Sequence, residues 1–509
     1  MGWSAGFIEA LSQPNWAPVW TVRRRGVADE PGSAWEATSH PQGPAPCRIG
    51  VVSLEGASVS ARSWTSSIGA FSVELVGDPS EALLALPRGS FVELELKLGV
   101  WVERVATGQV QTIRGSVPSF TLECWDLLSA LRSPLTTDPT AEMFSSVAAG
   151  TTTSFMHIVG VATYTVVSTT GFERETGGKG AFLVNNGSTT YYRLWNASTA
   201  TTFTIDTPAD ATVGNTTDAG CGVVPIAEIA YIEGHPVDIA GKLLTSTGTG
   251  TNGPDDLLPD TWGLELSQDL WDRSDAQGVK AWVVVNSGDY TWQLFRDEAE
   301  TDPLGWLEGV LSPAGLWLTQ RQGALTLRAM CDSHFGWVAV APTPVLTVTD
   351  ADVIDIVDYE AFDSSHNTEF NQVQCTDGNG ATSAGSADGG DTFTLPTQNI
   401  LVQVVDSIYD NVGELRADVT RRLAEAACRI PERLVLRLLT WKTAQLCPGD
   451  QIVLDLLGKR FVSRSAGVGS IYGTGGFRAR VAVVYEVVPQ VADFTVRVGC
   501  WVYPDGEYL

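Results

Sequence analysis

The sequence predicts a mainly β protein with an α+β middle domain, in which two small β-barrel domains bracket the middle part and a further β domain is inserted. Three observations predict it. Short segments of period-two alternation recur near both ends of the chain, the stretch after residue 133 becomes dense in Ser and Thr and poor in charge, and the period turns helical between about residues 227 and 318. With 509 residues the chain exceeds what one hydrophobic core serves, and 44% hydrophobic against 18% charged residues describes a folded protein with sizeable cores.

Residues 1–47 read as an N-terminal arm, because Trp3, Trp16, Trp20 and Trp35 crowd a stretch too short to bury them within itself. Packing on a neighbouring domain or subunit is the expected use of these rings, and stacking on sugar the alternative. Residues 48–132 read as the first β-barrel. Ala70–Leu75, Phe91–Leu98 and Val110–Arg114 alternate, and Phe120–Leu131 is a strand running into a helical turn that Pro134 ends.

Residues 133–225 read as the inserted Ser/Thr-rich β domain, with a hairpin of Ala181–Val184 and Thr190–Trp195 about an Asn185-Asn186-Gly187-Ser188 turn, then a strand at Thr202–Ile205. The Asn-x-Ser/Thr triplets at Asn186, Asn196 and Asn215 read as turn residues. Residues 226–345 read as the α+β domain. A helix pair is expected over Ala227–Ser246, a loop over Thr245–Asp256, a strand at Val283-Val284-Val285, a helix from Leu304, and a hairpin of Leu316–Gln320 and Ala324–Arg328 turning at Arg321-Gln322-Gly323.

Residues 346–509 read as the second β-barrel. Strands are expected at Val353–Val357, Asn371–Cys375, Ile400–Val405, Arg433–Leu438, Gln451–Leu456, Arg478–Val488 and Phe494–Val498, with a Gly/Ser/Asp-rich loop over 376–391, a helix over 413–428 and a tight turn at Cys447-Pro448-Gly449-Asp450.

The chemistry-bearing residues give no catalytic, cofactor-binding or metal constellation. His40, His157, His235, His334 and His366 lie in unrelated segments without HExxH spacing, and surface or capping roles are expected of them. The cysteines are dispersed with no CxxC pair, as for isolated buried thiols. Gly467–Ser470 and Gly473–Gly476 are glycine-rich without a following helix or GK[ST], which is hairpin-loop composition. Asp255, Asp256, Asp350, Asp352 and Asp355 form local clusters in which a glycosidase pair could sit, although nothing singles out one pair. Asp377-Gly378-Asn379-Gly380 carries oxygen donors but lacks the later Glu of a calcium loop. No cofactor is expected, no apolar run is long enough to span a membrane, and the start MGWSAGFIEALSQP shows no secretion signal. A formal charge of -27 repels phosphate backbones, which disfavours sequence-specific nucleic-acid binding.

Four segments, in order, resemble the central hub proteins of bacteriophage tail tips and baseplates, a family shared by long-tailed phages, contractile systems and gene transfer agents. Phe120–Leu131, with Asp126, matches a barrel-ending ΦxΦxxΦDΦΦxxL, where Φ is apolar. Gly234–Leu244 matches GxPxDIΦxxΦΦ. Gly315-Leu316-Trp317-Leu318 with Gly323–Leu327 matches GΦxΦxxxxGxLxL, and Leu446–Leu454 matches an apolar strand after PGD, preceded by the Arg421- and Arg422-bearing helix segment. The Ser133–Val224 insert and the first 45 residues have no counterpart in the pattern. The resemblance implies two hub barrels per subunit, a homotrimeric pseudo-sixfold ring and a structural, non-enzymatic role in the virion tail, assembled in the host cytoplasm. It implies as partners a distal tail protein or tail tube on one face, a threefold tip or fibre protein on the other, and the tape measure protein. DNA would pass through the lumen without specific binding. A carbohydrate-binding tail protein acting through the insert and a tail-associated cell-wall hydrolase are the alternatives; the length and four-part order favour the hub over the distal ring.

Overall fold

The structure is a computed structural model. It describes residues 4–11, 18–25, 36–39, 47–59, 66–67, 69–77, 89–116, 118–130, 152–169, 180–185, 190–205, 214–216, 219–225, 230–247, 251–256, 263–287, 289, 292–296, 302–329, 344–360, 372–377, 382–385, 400–405, 417, 420, 431–439, 443, 445–462, 474–491 and 493–502. The protein is mainly β with barrel-like domains, as its alternating segments require.

Helix α1 (Ala5–Leu11) precedes nine strands: β1 (Val19–Arg24), β2 (Glu36–Thr38), β3 (Cys47–Leu54), β4 (Ala57–Val59), β5 (Ser66–Ser67), β6 (Phe71–Gly77), β7 (Phe91–Leu98), β8 (Trp101–Ser116) and β9 (Ser119–Trp125). Seven of them close a barrel in the order β1-β2-β3-β6-β9-β8-β7. Alternation drives closure, because Phe71, Val73, Leu75, Leu94, Leu96, Leu98, Leu122 and Cys124 all point into one core. The barrel takes two strands from the stretch read as an arm. Val22 pairs with Leu94 to close it, and Trp20 is buried in its core, so this one of the four N-terminal tryptophans has a partner within the chain.

The short helix α2 (Leu127–Ala130) ends this unit. The insert is itself a closed barrel: β10 (Thr152–His157), β11 (Thr163–Val166), β12 (Gly180–Asn185), β13 (Thr190–Ser198), β14 (Thr202–Ile205) and β15 (Ala219–Pro225) close in the order β10-β11-β14-β13-β12-β15. Its β12–β13 hairpin has the expected register, Val184 opposite Tyr191 and Asn185 opposite Thr190.

In the middle region two expectations are corrected. The first member of the expected helix pair is a strand, β16 (Ala230–Gly234), followed by the single helix α3 (Pro236–Thr245). Ile232 fits either period, and β16 is stabilised by pairing with the distant β17 (Trp292–Arg296), which local pattern cannot show. Val283-Val284-Val285, expected as a strand, lies in helix α4 (Arg273–Ser287). The β-branched triplet suggests a strand, yet Ala276 and Val283 are buried and Val285 is 59% exposed, the spacing of one helical face. Helix α5 (Pro303–Leu311) then leads to the hairpin of β18 (Leu316–Arg321) and β19 (Ala324–Ala329). Its two-residue turn needs positive φ at both positions, 51° at Gln322 and 70° at Gly323.

The last region has β20 (Leu346–Thr349), β21 (Val353–Glu360), β22 (Gln372–Asp377), β23 (Thr382–Gly385), β24 (Ile400–Val405), β25 (Glu432–Leu438), β26 (Gln451–Val462), β27 (Thr474–Gln490) and β28 (Thr495–Val502). β22, β23 and β24 form a small separate sheet, so the stretch read as a loop over 376–391 contains a strand. The others run β20-β26-β27-β28-β25-β21, an open curled sheet to which β4 is added along β27. The helix expected over 413–428 falls almost wholly outside the described residues.

Five strands of the barrel repeat five strands of this sheet, although β1 and β2 close the barrel where the second sheet stays open. The order β3-β6-β9-β8-β7 corresponds to β21-β25-β28-β27-β26, antiparallel at every step. Val110 faces Cys124, then a bulge falls at Gln111 before Thr112 faces Glu123; likewise Val484 faces Cys500, then a bulge falls at Tyr485 before Glu486 faces Gly499. Cys124-Trp125 therefore corresponds to Cys500-Trp501. The turn before each sheet's long hairpin also recurs. Gly89 N–H donates to Val110 O and Val110 N–H to Ser90 O, while Gly449 N–H donates to Val484 O and Val484 N–H to Asp450 O. Both glycines need positive φ, 92° and 102°.

The helical assignment of α4 makes a prediction. Val283→Ala should lower stability by about 1–2 kcal/mol through lost burial, whereas Val285→Ala should change it by less than about 0.5 kcal/mol; thermal unfolding of the two variants measures the difference.

Candidate functional site

The polar centre of the molecule lies where the α+β region joins the two repeated sheets, and the β18–β19 hairpin builds it. Its strands are apolar runs, LWLTQR and ALTLRA, that place one Arg each inside an otherwise buried surface. Arg321 Nη2 donates to both carboxylate oxygens of Asp450, at 2.6 and 2.7 Å, and Arg328 Nε donates to the same Oδ1 at 3.0 Å. Arg328 Nη1 donates to Asp275 of α4 at 2.6 Å, and Asp275 also accepts from Thr326 Oγ1. Two guanidinium groups thus meet two carboxylates, which leaves the cluster formally neutral. The Asp450 side chain is only 3% exposed.

The backbone of the Cys447–Asp450 turn is held by the same groups. Asp450 Oδ2 accepts from Cys447 N–H at 3.0 Å, closing the turn on itself, and Trp317 Nε1 donates to Pro448 O at 3.2 Å. A Cβ on Gly449 would lie 2.5 Å from the Trp317 ring and 2.6 Å from Arg328 Cβ, so glycine is needed here for space as well as for φ. Burial would raise the Asp275 carboxyl, but Arg328 and Arg321 outweigh it and hold the group below the usual carboxylate range. Burial pushes the Cys447 thiol up to about 11, which keeps it protonated and unreactive at neutral pH.

The turn of the same hairpin rests on the first barrel. Arg104 Nε of β8 donates to Gln322 O at 2.8 Å, and a Cβ on Gly323 would meet Thr107 Oγ1 at 2.5 Å. Arg104 and Arg25 also reach Asp269 of the middle region, and Glu93 sits among Arg23, Arg25 and Arg104. Burial opposes the charge on Glu93, yet these cations hold its carboxyl below its usual range. One hairpin therefore grips the second sheet by its strands and the barrel by its turn.

All four segments that carried the family resemblance converge here. Leu127 and Leu128, then Val237, Ile239, Leu243 and Leu244, then Leu316, Trp317, Leu318, Leu325 and Leu327 belong to one buried cluster that also takes in Val483 and Trp501 of the second sheet. The PGD turn is the acceptor that Arg321 and Arg328 bind. Asp238 of the second segment is pinned on α4 by Lys280 at 2.6 Å and Gln277 at 2.9 Å.

Four of the carboxylates singled out in the sequence serve as hydrogen-bond acceptors in loops and turns. Asp256 accepts from Thr247 N–H, Thr247 Oγ1 and Asn252 N–H and so closes the 245–256 loop; Asp255 is bound by Arg273 and Trp271 Nε1. Asp352 caps Thr349, and Asp350 accepts from Gly458 N–H. Asp355 lies on β21, whereas Gly378, Asn379 and Gly380 lie outside the described residues. Among the histidines, His235 is the N-cap of α3, its Nδ1 accepting from Val237 N–H, and His157 is buried in the insert barrel against Tyr164. His40, His334 and His366 lie outside the described residues, as do Trp3, Trp16 and Gly467–Ser470, while Thr474–Gly476 begin β27. Of the three asparagines expected as turn residues, Asn215 accepts from the distant Val159 N–H rather than within its own turn, Asn196 lies within β13, and Asn186 lies outside the described residues. Arg321, Arg328 and Asp275 were not singled out in the sequence. For the two arginines the available signal was a positive charge in each of two apolar strands; Asp275, in the polar start of α4, carried none.

Compared with known proteins, the chain matches no family model and no curated protein. Among solved structures it is similar to a tail protein from Neisseria meningitidis MC58, at 11% identity and a TM-score of 0.39, covering 96% of this chain and 97% of that one. It is similar to the 43 kDa tail protein of prophage MuSo2 from Shewanella oneidensis, at 11% identity and a TM-score of 0.36 over 90% of this chain and 98% of that one. A chain of a native gene transfer agent virion matches 44% of this chain and 84% of its own length, at 14% identity and a TM-score of 0.18.

Two predictions follow from the junction geometry. Asp450→Asn leaves two buried guanidinium groups short of charge and should cost about 3–5 kcal/mol, and Gly449→Ala should cost more than Gly89→Ala. The latter meets only Gln109 Nε2, at 3.6 Å, so it carries the φ strain of about 1–2 kcal/mol alone. Denaturant unfolding compares all three. Because the folded pKa of Asp275 is depressed, its contribution is present above the unfolded carboxylate value of about 4 and is lost as pH falls through the folded value. Thermal transitions measured from pH 7 down to 3 should fall, and Asp275→Asn should lower the transition at pH 7 and flatten that acid limb.

Proposed function

We propose that this chain is the structural hub of a phage tail tip or baseplate, three copies of which form a ring that joins a sixfold tail tube or distal tail ring to a threefold tip. The observation that carries the reading is the internal repeat. A chain bearing two sheets of the same strand order, the same bulge beside a Cys-Trp pair and the same glycine turn presents two equivalent modules. Threefold rotation of such a pair yields six equivalent modules, which is what a threefold component needs to sit on a sixfold one.

The junction supports the same reading. A hub must hold its two modules at a fixed angle, and here one hairpin binds both through buried charge and a shared apolar core. The carboxylates Asp255, Asp256 and Asp352 are occupied as loop and turn acceptors, which favours a structural over a hydrolytic use of them. The charge of -27 suits a duct in which DNA slides without cationic contacts to hold it.

Purified virions or tails test this. Native mass measurement and imaging of the tail tip should find three copies per particle in a ring at the end of the tube, and no peptidoglycan or polysaccharide cleavage by the ring. A clean monomer that digests cell wall would overturn the proposal.

A further inference from the structure

The internal repeat exposes an asymmetry between the two modules. In the second sheet, Glu486 and Val487 of β27 have neighbours on both sides: Gly499 and Val498 of β28 on one, Ser58 and Ala57 of β4 on the other. Strand β4 comes from the barrel, two residues beyond the end of β3. Thr112 and Ile113 of β8 are the counterparts of Glu486 and Val487 by register. They face Glu123 and Leu122 of β9, and among the described residues no strand pairs with their other edge. Gln111, Thr112 and Ile113 are partly exposed, and Arg114 and Gly115 are exposed, with Arg114 paired to Glu123 across the same sheet.

The adjoining turns show the same one-sidedness. The β27–β28 turn packs Val491 and Phe494 against the barrel core. Its counterpart, the β8–β9 turn, leaves Pro118 exposed. Within one chain, then, the second sheet presses its turn on the barrel and receives β4 from the segment after β3, while the barrel's equivalent turn and edge receive no strand or turn from the other sheet among the described residues. A contact with different surfaces on its two sides is heterologous, and repeated by rotation it generates a closed ring or an open filament. An open β edge is a template for another strand.

We infer that the Thr112–Ile113 edge of β8, with the β8–β9 turn beside it, binds a second copy of this chain by strand addition. This contact repeats between copies what β4 does on β27 within a copy, and it is the contact that closes the ring. The inference rests on the hub reading and adds to it the residues through which copies join.

Hydrogen exchange and photo-crosslinking on assembled tails test it. In wild-type chain the outward amides within Gln111–Arg114 should exchange at least about 100-fold more slowly in the ring than in the free subunit, since an added strand converts a free N–H into a ladder hydrogen bond. A benzophenone amino acid replacing the exposed Arg114 should give a product of twice the chain mass. Peptide mapping should place the second end in another copy of this chain. A three-copy ring with unprotected amides at Gln111–Arg114, or a crosslink to a different protein, overturns the inference and leaves the hub reading standing. Particles without a three-copy ring overturn the hub reading, and the inference with it. The exchange measurement needs no substitution, so a folding defect in the labelled variant does not obscure the answer.

Discussion

The arrangement of this protein depends on one buried carboxylate. Asp450 closes its own turn by accepting from Cys447 N–H, and it is the shared acceptor of Arg321 and Arg328. A charge at 3% exposure is tolerable only with such complete pairing, because desolvation otherwise costs several kcal/mol. Hydrophobic contact would have fixed the distance between hairpin and sheet but not their register. Two guanidinium forks on adjacent strands, aimed at one carboxylate, define both. Everything beyond the hairpin then follows from its stiffness, since the turn at Gln322–Gly323 delivers the barrel to the other side.

The repeat explains why that acceptor occurs once. Ser90 holds the position in the barrel that Asp450 holds in the second sheet, with the same backbone hydrogen bonds to the long strand. The backbone device is common to both modules, and the charge is the departure. Gly89 has space around it where Gly449 is covered by Trp317 and Arg328. Only one of the two equivalent turns is built to receive the middle region, and this makes a covalently linked pair of like modules directional.

Much of the fold was legible in the sequence where pairing is local. Phe91–Leu98, Ala181–Trp195 and Leu316–Arg328 announce themselves by alternation and by turn residues suited to positive φ. What failed had a partner far away along the chain. β16 is a strand because β17 exists, and β1 and β2 belong to the barrel because β7 and β3 accept them; Val283-Val284-Val285 is the exception, helical because Ala276 and Val283 of the same helix share a buried face. The junction was half legible. The PGD turn stood out, but its ligands Arg321 and Arg328 looked like ordinary strand ends until the fold placed them side by side.

Two barrel-like domains were expected from the sequence, but their strand-by-strand correspondence escaped it for a related reason. Between the modules the shared residues are few, among them Gly89 and Gly449, the Cys-Trp pairs, Val110 and Val484, Leu75 and Leu438, and Leu94 and Leu454, because a buried position otherwise requires only an apolar side chain of suitable size. Leu122 answers to Val498 and Phe71 to Leu434, interchangeable in chemistry and identical in register. What persists is what geometry forbids to change: a bulge that sets the strand's bend, and a glycine at a φ that other residues adopt only under strain. A likeness held by register rather than by residues is invisible to composition. It becomes visible once the hydrogen-bond ladders are laid side by side, and at that level the edge of β8, unpaired among the described residues, stands out as the position whose counterpart is occupied.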